Sequence, residues 1–122
     1  MPAPANLSAA VRSVIADRMR GHGDDMSVLQ WAVLFLDYDA ARSLANAIAT
    51  EPRLARPLAG DDTLLNSALP PEFFVLQDQL AAKARELAQI AEKRPPDGAG
   101  LAKAYGELAE TCVRCHSAYL GN

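Results

Sequence analysis

At 122 residues the chain is long enough to bury one core, and it reads as a single domain over 1–122. A formal charge of −3 argues against nucleic acid as a partner, because such a surface must replace phosphate counterions with basic side chains. No apolar run approaches the ~20 residues of a membrane span, and a composition 50% apolar but 6% aromatic, dominated by alanine and leucine, favours helix over strand.

The chain opens "MPAPANLSAA", with no apolar stretch of the kind a signal peptide carries. Met1 is read as a start that replaces a removed leader. From Leu7 to Leu36, apolar or soft residues recur at Val11, Ile15, Met19, His22, Met26, Leu29, Val33 and Leu36, in the steps of three and four that mark one helical face. Ser8 is the expected N-cap. Gly21 and Gly23 interrupt this helix at roughly 1 kcal/mol each against alanine, which predicts either a bend or the close approach of a bulky group. Trp31 and Phe35 lie off the main stripe, with an interior place and a surface place both open to them.

A second helix follows without room for a long loop. Asp37 or Asp39 caps it, Ala41, Leu44, Ala45 and Ile48 form its apolar side, and Pro52 ends it. The stretch 53–69 carries Pro57, Gly60 and paired aspartates and reads as a crossover connection, with a short helical turn expected at "DTLLNSAL". Proline then opens a third helix, whose stripe is Phe73, Leu76, Leu80, Leu87 and Ile90, and "RPPDG" stops it. A fourth helix starts near Asp97, aligns Leu101, Tyr105, Leu108, Cys112, Cys115 and Tyr119, and ends at Gly121. Two tight connections and one long one predict an all-α fold, an antiparallel four-helix bundle with the longer crossover between helices two and three.

The only cysteines, Cys112 and Cys115, stand in "CVRCH" with His116 directly after them. On a helix these residues share one face. Two thiols at that spacing suit addition to the two vinyl groups of a haem, with the following histidine meeting the iron from below. A disulfide between them would close almost no loop and stabilise little, and a thioredoxin-like redox pair requires a strand that this chain does not supply. Zinc is the rival reading. It takes four ligands, and Cys112, Cys115 and His116 with the only other histidine, His22, would make four.

With the bundle and this motif in hand, the chain resembles the class II cytochromes c, the cytochrome c′ group, over almost its whole length. "CVRCHSAY" matches the family's terminal run with an aromatic three residues after the histidine. "PEFF" opens the third helix as it does in some members, and "MRGHGDDMSVL" is similar to the first-helix segment whose leading residue faces the open side of the iron. The resemblance implies one covalently bound haem c, with His116 as proximal ligand and Met19 at the distal position. A methionine there points to the low-spin branch and to a periplasmic electron carrier that meets redox partner proteins. The other branch is a five-coordinate cytochrome c′ that binds small gases such as nitric oxide. No acid–base pair or nucleophile constellation is evident, so no enzyme is expected.

The distal side stays open among three side chains. Met19, His22 and Met26 fall on one side of helix one, and the two methionines are separated by about 10.5 Å along the axis, so at most one faces the iron. Imidazole is the stronger ligand chemically. Two positions depart from the family pattern: Leu120 follows the terminal aromatic where an arginine is frequent, and Ile15 stands where an arginine often pairs with a haem propionate. Arg12, Arg18 or Arg20 is then the substitute for that pairing. Homodimers through the first two helices are frequent in the family, and Trp31 and Phe35 are the residues placed to form such a surface.

Overall fold

The computed structural model describes residues 8–52 and 69–119. The expected helical turn at "DTLLNSAL", most of the crossover and the Gly121 terminus lie outside them. Four helices run in chain order: α1 Ala9–Leu34, α2 Tyr38–Thr50, α3 Pro71–Ala91 and α4 Gly98–Tyr119. Helix α1 packs against α2 and α4, and α3 packs against the same two, so α1 and α3 stand diagonally across an all-α bundle.

The local signals for these helices are the ones expected. The Ser8 side chain accepts the Val11 amide at 3.2 Å and caps α1. Of the two aspartates before α2 it is Asp37 that caps, accepting from the Ala40 amide at 3.1 Å, while Asp39 sits in the first turn. Pro71 stands at the first position of α3, where its missing N–H loses no bond. The Asp97 carboxylate accepts the Gly100 amide at 2.8 Å at the start of α4.

Two expectations for α1 need correction. The helix stops at Leu34 rather than reaching Leu36, which adopts φ 57° in the turn and is exposed. The Leu36 and Asp37 amides donate back to the Val33 and Ala32 carbonyls at 3.2 and 2.8 Å, a left-handed helix stop built without the usual glycine. Gly21 and Gly23, in turn, do not interrupt α1, which stays helical through both. No protein atom crowds them: a Cβ built at either would meet no atom within 4 Å. Both lie on the solvent side of the helix.

The core is in two parts. One gathers Leu29 and Val33 from the end of α1, Ala41, Ala45, Ile48 and Ala49 from α2, Ala84, Leu87 and Ala88 from the end of α3, and Leu101, Ala104 and Leu108 from the start of α4. The other gathers Val11, Ile15 and Met19 from the start of α1, Leu69, Phe73 and Phe74 around the start of α3, and Tyr119 from the end of α4. That division gives the helix directions: α1 and α3 run one way, α2 and α4 the other. With 13 residues α2 spans about 20 Å, against about 39 Å for the 26 residues of α1. At the first core four helices meet, but α2 runs out before the second, which rests among the described residues on α1, α3 and α4.

Trp31 and Phe35 take the surface. They are 63% and 71% exposed and stack on one another, ring centroids 5.3 Å apart, and Val28, Leu34 and Leu36 extend the exposed apolar stripe beside them. Met26 is half-buried and packs on the first core, and its carbonyl accepts the Tyr105 hydroxyl at 3.2 Å.

Candidate functional site

Beyond the end of α2 the bundle leaves a small apolar cleft, open in part to solvent. Three helices line it. From α1 come Ile15, Arg18, Met19 and His22; from α3 Phe73, Leu76, Gln77 and Leu80; from α4 Thr111, Cys112, Cys115 and His116. The fold thus brings five candidate side chains to one cavity: Cys112, Cys115 and His116 from one wall, Met19 and His22 from another, ninety or more residues earlier in the chain. Met26, the third distal candidate, is not part of the lining.

Helix α4 holds its donors by periodicity. Cys112, Cys115 and His116 are half-buried on the inner side. On the outer side the Glu110 carboxylate accepts from the Arg114 guanidinium at 2.8 Å, an exposed i,i+4 pair. Tyr119 pins the end of α4 by packing edge-on against Phe73 at 5.4 Å between ring centroids, and Phe73 meets Phe74 edge-on at 5.5 Å. Thr111 is buried, and its hydroxyl donates to the Glu107 carbonyl at 3.2 Å, so it places no unpaired polar atom in the wall.

Burial sets the protonation states. It pushes the Cys112 thiol up, and it pushes Cys115 up to about 11 with the neighbouring Cys112 adding to the effect. Both are therefore neutral thiols at neutral pH and are not paired in a disulfide. Burial, followed by the positive charge His22 can carry, holds His116 below the ordinary histidine range. The imidazole is neutral there, which is the form that ligates a metal. Tyr119 is pushed up to about 12, first by burial and then by the charges of Cys115 and Glu72, so its phenol stays protonated.

The α1 wall differs. Met19 is 4% exposed and belongs to the second core. His22 is turned toward α2, where its Nε2 is hydrogen-bonded to a carboxylate oxygen of Glu51. One turn earlier, the Arg18 guanidinium donates to the Pro52 carbonyl at 2.9 Å. Of the three arginines weighed as partners for an acidic group at the site, Arg18 alone is in the lining, while Arg20 pairs outside with Asp17 at 2.6 Å. Glu51 went unnoticed in the sequence. It lies 29 residues from His22, and the only local signal is that Pro52 ends α2 beside it.

A neutral imidazole, a thioether and two neighbouring thiols around an apolar cleft can hold a flat, largely apolar group that carries a metal. As for a bare ion, among the described residues no three Cys, His, Asp or Glu side chains are grouped to hold one. The chain was compared with protein-family models, with curated proteins and with solved structures, and nothing matches it in any of the three. No helix among the described residues is long and apolar enough to cross a membrane.

Proposed function

We propose that this chain is a c-type haem protein that carries electrons in the periplasm, one haem c being attached through Cys112 and Cys115. The observation that carries the reading is the common cavity: the "CVRCH" donors of α4 and Met19 of α1 line the same apolar cleft. The residues fit the group. His116 is the proximal ligand, neutral through burial, and Met19 the distal ligand, a thioether held in the core. Arg18 is the cation available to a propionate. When bound, the haem supplies one-electron chemistry at its iron. The protein's part is to fix the axial groups, keep the surroundings apolar, and so favour the reduced ion, which a thioether favours over a second imidazole.

A second copy of the chain meeting the exposed Trp31–Phe35 stripe, and redox proteins as electron partners, complete the reading. The alternative is a five-coordinate haem protein that binds small gases such as nitric oxide. In that case Met19 covers the iron without bonding to it.

Expression with haem-ligation machinery tests the proposal. The product should keep its haem through acid–acetone extraction, and a Cys112→Ala, Cys115→Ala variant should lose it. Release of haem from the unaltered chain would refute covalent attachment. Met19→Ala should turn a low-spin spectrum high-spin, open the site to carbon monoxide and lower the potential. A high-spin spectrum before any substitution selects the gas-binding alternative instead.

A further inference from the structure

Two ligand-capable side chains of α1 reach the cleft one helical turn apart, and the stronger of them is restrained. The Glu51 carboxylate can only accept, so Nε2 of His22 donates the proton of their hydrogen bond, and while it does so that nitrogen has no lone pair for a metal. The side chains of His22 and Glu51 are 18% and 26% exposed, so the bond is largely shielded from competing water. Arg18 fastens the following residue, Pro52, by its carbonyl. Two α1 side chains at i and i+4 thus hold the residues that follow α2, Glu51 and Pro52, against the helix. The restraint on the ring is its partner.

We infer that Glu51 is a positioning residue that keeps His22 off the metal of the proposed haem, leaving α1 to present Met19. The inference rests on the haem reading and adds to it a residue outside the cleft lining that selects the axial ligand. If the carboxylate is removed, Nε2 loses its acceptor. The imidazole can then turn into the cleft that it already borders and compete with the thioether, which it outmatches as an iron ligand.

The test uses the haem-loaded chain and three substitutions, followed by electronic absorption and electron paramagnetic resonance of the ferric protein. Glu51→Ala should lose any sulfur-to-iron charge-transfer band, gain the resonance of two imidazoles on one iron, and bind carbon monoxide more slowly after reduction. Glu51→Gln keeps an acceptor oxygen and should retain the parent spectrum. The double variant Glu51→Ala, His22→Ala should return to the parent spectrum, which a merely structural role for Glu51 would not produce. A Glu51→Ala spectrum unchanged from the parent, a double variant that stays altered, or a parent already carrying two imidazoles overturns the inference while leaving covalent haem in place. A parent chain that takes up no haem overturns the underlying reading and this inference with it.

Discussion

The two ends of the bundle are built from different side chains for different purposes. Where four helices meet, the contacts are largely alanine: Ala41, Ala45 and Ala49 of α2 face Ala84, Ala88 and Ala91 of α3, with Leu87, Leu101 and Leu108 filling the remaining space. Small residues let helix axes approach closely and leave little to remove. Where α2 has run out, the side chains are larger, with Phe73, Phe74, Tyr119, Ile15 and Met19, and yet a cleft remains among them. Packing therefore stabilises the first end on its own, and the second is shaped around a space. A protein interior is normally filled to the density of an organic crystal, so a persistent apolar cleft beside two thiols and an imidazole is the part of the fold that a bound group would complete.

The sharpest way to break this contrast is to shorten one leucine at each end. Leu87→Ala, at a fully buried position, should cost about 3 kcal/mol by chemical denaturation, whereas Leu76→Ala, on the cleft wall and packed on the second core, should cost about 1 kcal/mol in the haem-free chain. Equal losses would mean that the cleft closes in solution. Overfilling probes the same difference from the other side. Ala45→Leu inserts bulk between helices with no room and should destabilise by about 1–3 kcal/mol, seen as a lower midpoint in the same titration.

The chemistry of the open end is testable without any haem. With Cys115 pushed up to about 11 by burial, its thiolate fraction at neutral pH falls below that of an ordinary thiol. Iodoacetamide should then label it on the order of tenfold to a hundredfold more slowly in the folded haem-free chain than in the denatured chain, after correction for access. Because the pKa is raised, the rate should climb with pH through the range in which a normal thiol has already reached its plateau. A folded-chain rate equal to the denatured one would place Cys115 in water rather than in the cleft wall.

The smallest effect belongs to the tight end's turn. Leu36 holds φ 57°, a region costly for any residue with a Cβ, so Leu36→Gly should stabilise by up to about 1 kcal/mol. The turn also lies close to Gly98, where a Cβ would stand 3.2 Å from the Leu36 Cδ2 and 3.3 Å from the Tyr38 hydroxyl. If part of the gain is lost, the Leu36 side chain contributes packing against the start of α4. Thermal unfolding of the single variant measures the balance.

Much of this protein was legible along the chain because its signals are local. Helix periodicity, the caps at Ser8 and Asp37, the stops at Pro52 and "RPPDG", and the one-face spacing of Cys112, Cys115 and His116 each depend on residues within a turn or two of one another. The glycines of α1 were misjudged for the same reason. A helix interior penalises glycine by propensity alone, but tertiary packing of the opposite face carries α1 through Gly21 and Gly23 on its exposed side. Nor did spacing alone choose between an inner and an outer place for Trp31 and Phe35, since that depends on which face of α1 its neighbours cover. Met19 and His22 look equivalent along one helical stripe, and they become different only when α2 ends beside one of them. The partner that separates them, Glu51, is distant in sequence, and no periodicity links a residue to one 29 positions away; chain packing alone brings that carboxylate to the ring.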